Sequence, residues 1–177
     1  IAAKARTLAN TAQTAANNAA TAAANAQTSA NSAATAASNA QTSANNANTA
    51  VSSLNTYVDG TFKDGVISQS EAQTIEAYIN LVNSTKTQVD AAYTKLYANS
   101  YLSGTPKTNL NSAKTAVNTA TTNLISSITT AIADGKTTTA EKTDVDTKYT
   151  AFNSALSTYQ TRVEEANVAI QAAIRSA

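Results

Sequence analysis

The apolar positions of the first third of the chain form one stripe. Ala2, Ala5, Ala9, Ala12, Ala16, Ala19, Ala23, Ala26, Ala30, Ala33, Ala37, Ala40, Ala44, Ala47, Val51, Leu54 and Val58 follow at alternating steps of three and four. Such an a/d seam, held without a skip, predicts an α-helix wound into a left-handed coiled coil. Neither Gly nor Pro interrupts it before Gly60, so the helix should extend about 85 Å at 1.5 Å per residue. A second period runs through it. Thr stands at 7, 14, 21, 28, 35, 42, 49 and 56, and residues 26–39 (AQTSANSAATAASN) nearly copy residues 12–25 (AQTAANNAATAAAN). The repeating unit is therefore two heptads.

Beyond the seam the pattern changes. VDGTFKDG, with Gly60 and Gly65 as helix-ending residues, precedes Ser68 and Glu71, spaced as an S-x-x-E capping box. The helix this box opens carries Ile75, Ile79, Val82, Val89, Tyr93 and Leu96 at core spacing, with Lys86 as a polar intruder, and stops near Asn99. A corner at Ser103–Pro106 follows, with Thr105 expected as cap and Pro106 in the first turn. Leu110, Ala113, Val117, Ala120, Leu124, Ile128 and Ala131 mark the next helix, which ends at Asp134-Gly135. Thr138 and Glu141 form a second capping box, and Val145, Tyr149, Phe152, Leu156, Tyr159, Val163, Ala166, Ile170 and Ile174 mark the last helix. Short corners make successive helices antiparallel. The expectation is an all-α chain: a coiled-coil stalk over 1–58 and an antiparallel three-helix bundle over 59–177.

The two corners match. Asp64–Glu71 and Asp134–Glu141 lie seventy residues apart, and behind them Ile75 aligns with Val145, Ile79 with Tyr149 and Val82 with Phe152. Either the chain is internally duplicated or it uses one corner design twice.

A seam of methyl groups buries little area per position, and its many Asn and Thr residues are indifferent helix formers. The first helix therefore needs close neighbours along its length. An eight-heptad stripe exceeds what one short bundle covers, so the seam from Ala12 to Leu54 is expected to be an oligomer contact between copies of the chain, with a trimer favoured.

Composition narrows the chemistry. The chain has no His, Cys, Met or Trp, its net charge is +1, and its charged residues are scattered. That removes imidazole bases, thiolate nucleophiles and soft metal ligands, and leaves no basic patch for nucleic acid. No signal-type or membrane-spanning run occurs, and the missing initiator Met fits a piece of a longer polypeptide. Read as calcium loops, both corners lack early ligands: Gly60 and Phe62 in one, Thr130 and Ile132 in the other. Capping explains them better. Glu164 with Glu165 is expected to be solvated surface, and Asp144 and Asp146 lie too close along one helix to face each other, with nothing basic or apolar marked out to tune them. The seven tyrosines read as bundle core with wet hydroxyls. No enzyme, cofactor, metal, membrane or small-molecule substrate is expected.

Three runs resemble a helical module of bacteriophage and prophage tail proteins: DGVISQSEAQTIEAYIN (64–80), YTKLYANSYLSGTPKTNLNSAKTAV (93–117) and IADGKTTTAEKTDVDTKYTAFNSALSTYQTRVEEANVAIQ (132–171). The likeness covers residues 60–177, through the pattern D-G-x-[IVT]-[ST]-x-x-E before an amphipathic helix. It implies a structural component of the virion, in a tail tip, baseplate or fibre, acting as an oligomeric stalk or spacer beside other tail proteins. It supplies no catalytic residues. Two alternatives stand beside it: the stalk of a bacterial surface adhesin, which is extracellular, and an ice- or surface-binding Ala/Thr helix. The seven-residue Thr period drifts about 20° per heptad around a straight helix, which disfavours a flat ice-binding face.

Overall fold

The computed structural model describes residues 2–61 and 66–176, with side chains throughout except those of 54–61. The chain is all-α. It forms four helices: α1 Ala2–Thr61, α2 Gln69–Tyr97, α3 Gly104–Ile132 and α4 Thr139–Ser176. Leu54, Val58, Gly60, Phe62, Asp64 and Gly65, all singled out by the sequence, lie outside the described side chains or backbone.

Each helix packs on its chain neighbours, and α1 against α4 closes the ring. Three bonds set the direction of the α1–α2 pair. Tyr78 Oη donates to the Ala50 carbonyl at 2.5 Å, Ser43 Oγ to Gln88 Oε1 at 3.2 Å, and Asn99 Nδ2 to the Ala26 carbonyl at 3.0 Å. As one helix ascends the other descends, which makes the pair antiparallel. Tyr149 Oη bonds to Asn48 Oδ1 and ties α4 to the same stretch of α1.

Here the expected division of the chain needs correction. Ala26, Ala30, Ala33, Ala37, Ala40, Ala44, Ala47 and Val51 are all buried within this one chain. The second half of α1 is thus the fourth helix of the bundle, and a boundary at residue 58 separates nothing. The reason is volume. Phe152, Tyr159, Leu96, Leu110, Leu124 and Ile170, fully buried, come from α2, α3 and α4. They fill the interior from three sides, and a fourth helix fits if its inward face is nearly flat. Alanine provides that face, and close approach replaces side-chain bulk.

The same demand reshapes α2. Lys86 is not a core residue: its side chain is 34% exposed and its Nζ lies 2.5 Å from Asp90 Oδ2. Thr85 is buried in its place, with its hydroxyl donating to the Leu81 carbonyl at 3.0 Å, and Ala92 is buried where Tyr93 was expected. Small residues at both positions let the alanine helix close in. At the second corner, Ser103 rather than Thr105 occupies the cap position of α3, without a side-chain bond, and Gly104 opens the helix at φ +61°. That left-handed backbone suits a residue lacking Cβ.

The internal match is spatial as well as sequential. Val66 and Lys136, seventy residues apart, pair in an isolated antiparallel bridge, where Ile67 N–H donates to the Gly135 carbonyl at 2.6 Å. Tyr159 Oη donates at 3.1 Å to the carbonyl of Val89, again seventy residues apart. Equivalent residues meet on a common axis, so the hairpins α1–α2 and α3–α4 are related by a pseudo-twofold along the bundle. The buried pairs Ala40/Leu110, Ala47/Val117, Val82/Phe152 and Leu96/Ala166 obey it.

Candidate interaction surface

The seam of α1 divides at one place. Residues 2–22 are exposed throughout, Ala12, Ala16 and Ala19 included, Ala23 is half-buried, and from Ala26 to Val51 the seam is covered. As an oligomer contact, the seam from Ala26 to Val51 is therefore corrected: its own chain occupies it, and only its N-terminal part is open. At 1.5 Å per residue the uncovered arm reaches about 30 Å beyond the bundle.

Asn99 fixes the point of departure. It is 5% exposed and fully engaged: Nδ2 holds the Ala26 carbonyl, and Oδ1 accepts from Tyr101 N–H at 2.9 Å. Placed at the α2–α3 corner, it fixes the height of α1. The sequence reading used Asn99 only as a helix end. Its distant partner, seventy-three residues away, is invisible to local spacing.

The two-heptad repeat has a local function on the outer face. Gln13 donates to Asn17, Gln27 to Asn31 and Gln41 to Asn45, at 3.0, 2.8 and 3.0 Å. Each unit thus carries one i,i+4 amide staple, contributing about 0.2–0.5 kcal/mol along a stretch with no charge between Arg6 and Asp59. The Thr hydroxyls turn inward. Those of Thr7, Thr14, Thr21, Thr28, Thr35, Thr42 and Thr49 each donate to the carbonyl four residues back.

At the opposite end the two corners lie side by side, each closed by a reciprocal cap. Ser68 N–H donates to Glu71 Oε2 at 2.6 Å and Glu71 N–H to Ser68 Oγ at 3.4 Å. Thr138 and Glu141 make the same pair of bonds at 2.8 and 3.2 Å. Asp134 Oδ1 accepts from Lys136 N–H, and Gly135 takes φ +73°. These groups satisfy backbone donors that helix starts leave open. Among the described residues no cluster of three or more acidic side chains is placed to hold a metal ion, and no helix is long and apolar enough to cross a membrane.

Several side chains are more engaged than their spacing implied. Asp144 accepts from Ser127 Oγ at 2.5 Å and faces Lys148 at 3.5 Å, so its carboxyl is held below the ordinary value, chiefly by the Ser127 bond. Glu165 is paired with Arg162 at 2.6 Å. Partial burial opposes the charge of Asp90, but Lys86 and Lys114 outweigh it and its pKa falls. The tyrosine hydroxyls are not uniformly wet: Tyr159 bonds a buried carbonyl, and burial drives its pKa upward.

Between α2 and α3 stands a ladder of rings and cations. Tyr93 and Tyr97 stack at 4.9 Å, Lys107 lies 4.4 Å over Tyr97, and Lys114 lies 5.4 Å over Tyr93. The ladder braces α2 against α3, although Tyr97 stays 36% exposed. Two adjoining shallow clefts, of about 290 and 510 Å³, run along the outside of α3–α4. Glu141 and Asp144 stand at the corner end, and Ala116, Ala120, Ala151 and Ala155 line the stretch above. In comparisons with protein families, curated proteins and solved structures, nothing matches this chain.

Proposed function

We propose that this chain is a structural element of a phage tail or related virion part, a four-helix base that carries a projecting helical arm. The observation that supports the reading most is the continuity of α1. One uninterrupted helix of 60 residues is anchored over its second half and exposed over residues 2–22. Such an element acts by geometry: it sets a distance and an orientation, and offers the arm to other copies or to other tail proteins. The resemblance of residues 60–177 to tail modules supplies the setting.

The test is mass spectrometry of intact phage particles purified through a density gradient from the source strain. Peptides from α2–α4 should co-purify with particles at a fixed ratio to a known tail component. Recovery only from the cell envelope would overturn the virion assignment and favour a surface adhesin.

A further inference from the structure

Charge is segregated along the bundle. At the end where α1 projects, Lys95, Lys107 and Arg175 lie in terminal turns, and Lys4 and Arg6 sit near the tip of the arm. At the corner end, Glu71, Asp134, Glu141, Asp144 and Asp146 outnumber Lys136, Lys142 and Lys148 around the two caps. One end of the molecule thus complements the other. Like ends repel.

The arm also has a known mode of packing. Residues 12–25 nearly repeat residues 26–39, whose seam methyls at Ala26, Ala30, Ala33 and Ala37 are buried against the bundle. An open surface lies along α3–α4, where Ala116, Ala120, Ala151 and Ala155 line the larger cleft among short polar side chains and Lys148. The corresponding cleft on α1–α2 is different. It is crossed by the Ser43–Gln88 bond and offers two alanines, Ala36 and Ala91, against four.

We propose that copies associate head to tail, with the arm of one chain, residues 2–22, lying in the α3–α4 cleft of the next. This deepens the structural reading by naming the partner as a second copy. The arm's base brings Lys95, Lys107 and Arg175 to the neighbour's Glu141 and Asp144. Its tip reaches a further acid on the cleft side of α4: Lys4 lies about 33 Å beyond Ala26, and Glu165, there paired with Arg162, about 39 Å beyond Thr139, along their helices. The intervening arm is uncharged and meets the alanines and short polar side chains of the cleft. Such a contact is heterologous and does not close on itself by a twofold.

The chain has no cysteine, which makes the contact directly testable in the full chain. Ala16→Cys combined with Ala151→Cys places one thiol on the arm and one in the cleft. Tyr149 sits at Asn48, so within a chain these sites are separated by about 45 Å of helix, far beyond the reach of a disulfide. Mild oxidation at low salt should give a ladder of dimers, trimers and higher species. Lys4→Glu with Arg6→Glu should reduce the ladder several-fold, as should raised salt, since exposed charges are screened within about 10 Å at 0.1 M. Circular dichroism confirms that each variant is folded. Dimers from Ala16→Cys alone would mean arms pairing with arms. Equal cross-linking with Ala91→Cys in place of Ala151→Cys would mean the other cleft. Either result, or a folded double variant that stays monomeric, overturns the proposal, while the particle experiment above stands independently.

Discussion

Ala33 and Ala19 occupy the same place in the two-heptad repeat and differ only in what surrounds them. Ala33 is 0% exposed, whereas Ala19 lies on the open arm. Replacing each with Gln isolates that difference, because Gln is nearly as good a helix former as Ala. At Ala33 the longer side chain forces α1 away from α2 and α4, an overpacking cost of about 1–3 kcal/mol. An amide buried without a partner adds about 1–3 kcal/mol. A total on the order of 3 kcal/mol lowers Tm by roughly 6–12 °C for a chain of this size. At Ala19 the change should stay within about 0.5 kcal/mol, as for an exposed surface position. Thermal melts at low micromolar concentration, followed by circular dichroism, separate the two. Equal losses at both sites, or a Tm unchanged by Ala33→Gln, would refute the division of the seam at Ala23–Ala26.

Asn99→Ala removes the bond that fixes the Ala26 carbonyl and leaves Tyr101 N–H without its acceptor. A loss of about 1–3 kcal/mol is expected in urea unfolding, with earlier proteolytic cleavage near Ala23–Ala33. Ser68→Ala and Thr138→Ala should each cost about 1 kcal/mol through the lost cap, read in the same unfolding curves. The lowered pKa of Asp90 makes a pH prediction. A carboxyl depressed in the folded state contributes stability that is present above its unfolded value, about 3.9, and is lost as pH falls through the folded value. Lys114→Met should flatten that acid limb in a stability–pH profile, because Lys114 is one of the two cations holding Asp90 charged.

The helices were legible because each is written in a steady period with its own punctuation. The S-x-x-E boxes at Ser68 and Thr138, Gly135 and the unbroken Ala seam are local signals, and local signals survive in one dimension. What burial would do was less visible. Ala33 and Ala19 have nearly the same neighbours in sequence, and nothing local says that one is buried in the bundle and the other meets solvent. The misplacement of Lys86 and Tyr93 has the same origin. A four–three step reads equally well from either neighbouring position, and the choice fell to Thr85 and Ala92 because α1 approaches there. Local spacing cannot reveal the role of Asn99, because its partner is a carbonyl seventy-three residues away on α1. Matching corners were recognisable, yet the axis relating them required Val66 to meet Lys136.

The antiparallel ring has a mechanical consequence. The arm of α1 and the last turn of α4 lie at the same end of the bundle, so pulling those two strands apart peels α1 from α4 one contact at a time. Little force is needed, since each step releases only a few methyls. A pull on the arm against an anchor at the corner end is resisted differently. It slides α1 lengthwise, and Asn99, Gln88, Tyr78 and Tyr149 must release it together. The same weak alanine contacts thus make a joint that opens under sideways tension and bears load along its axis.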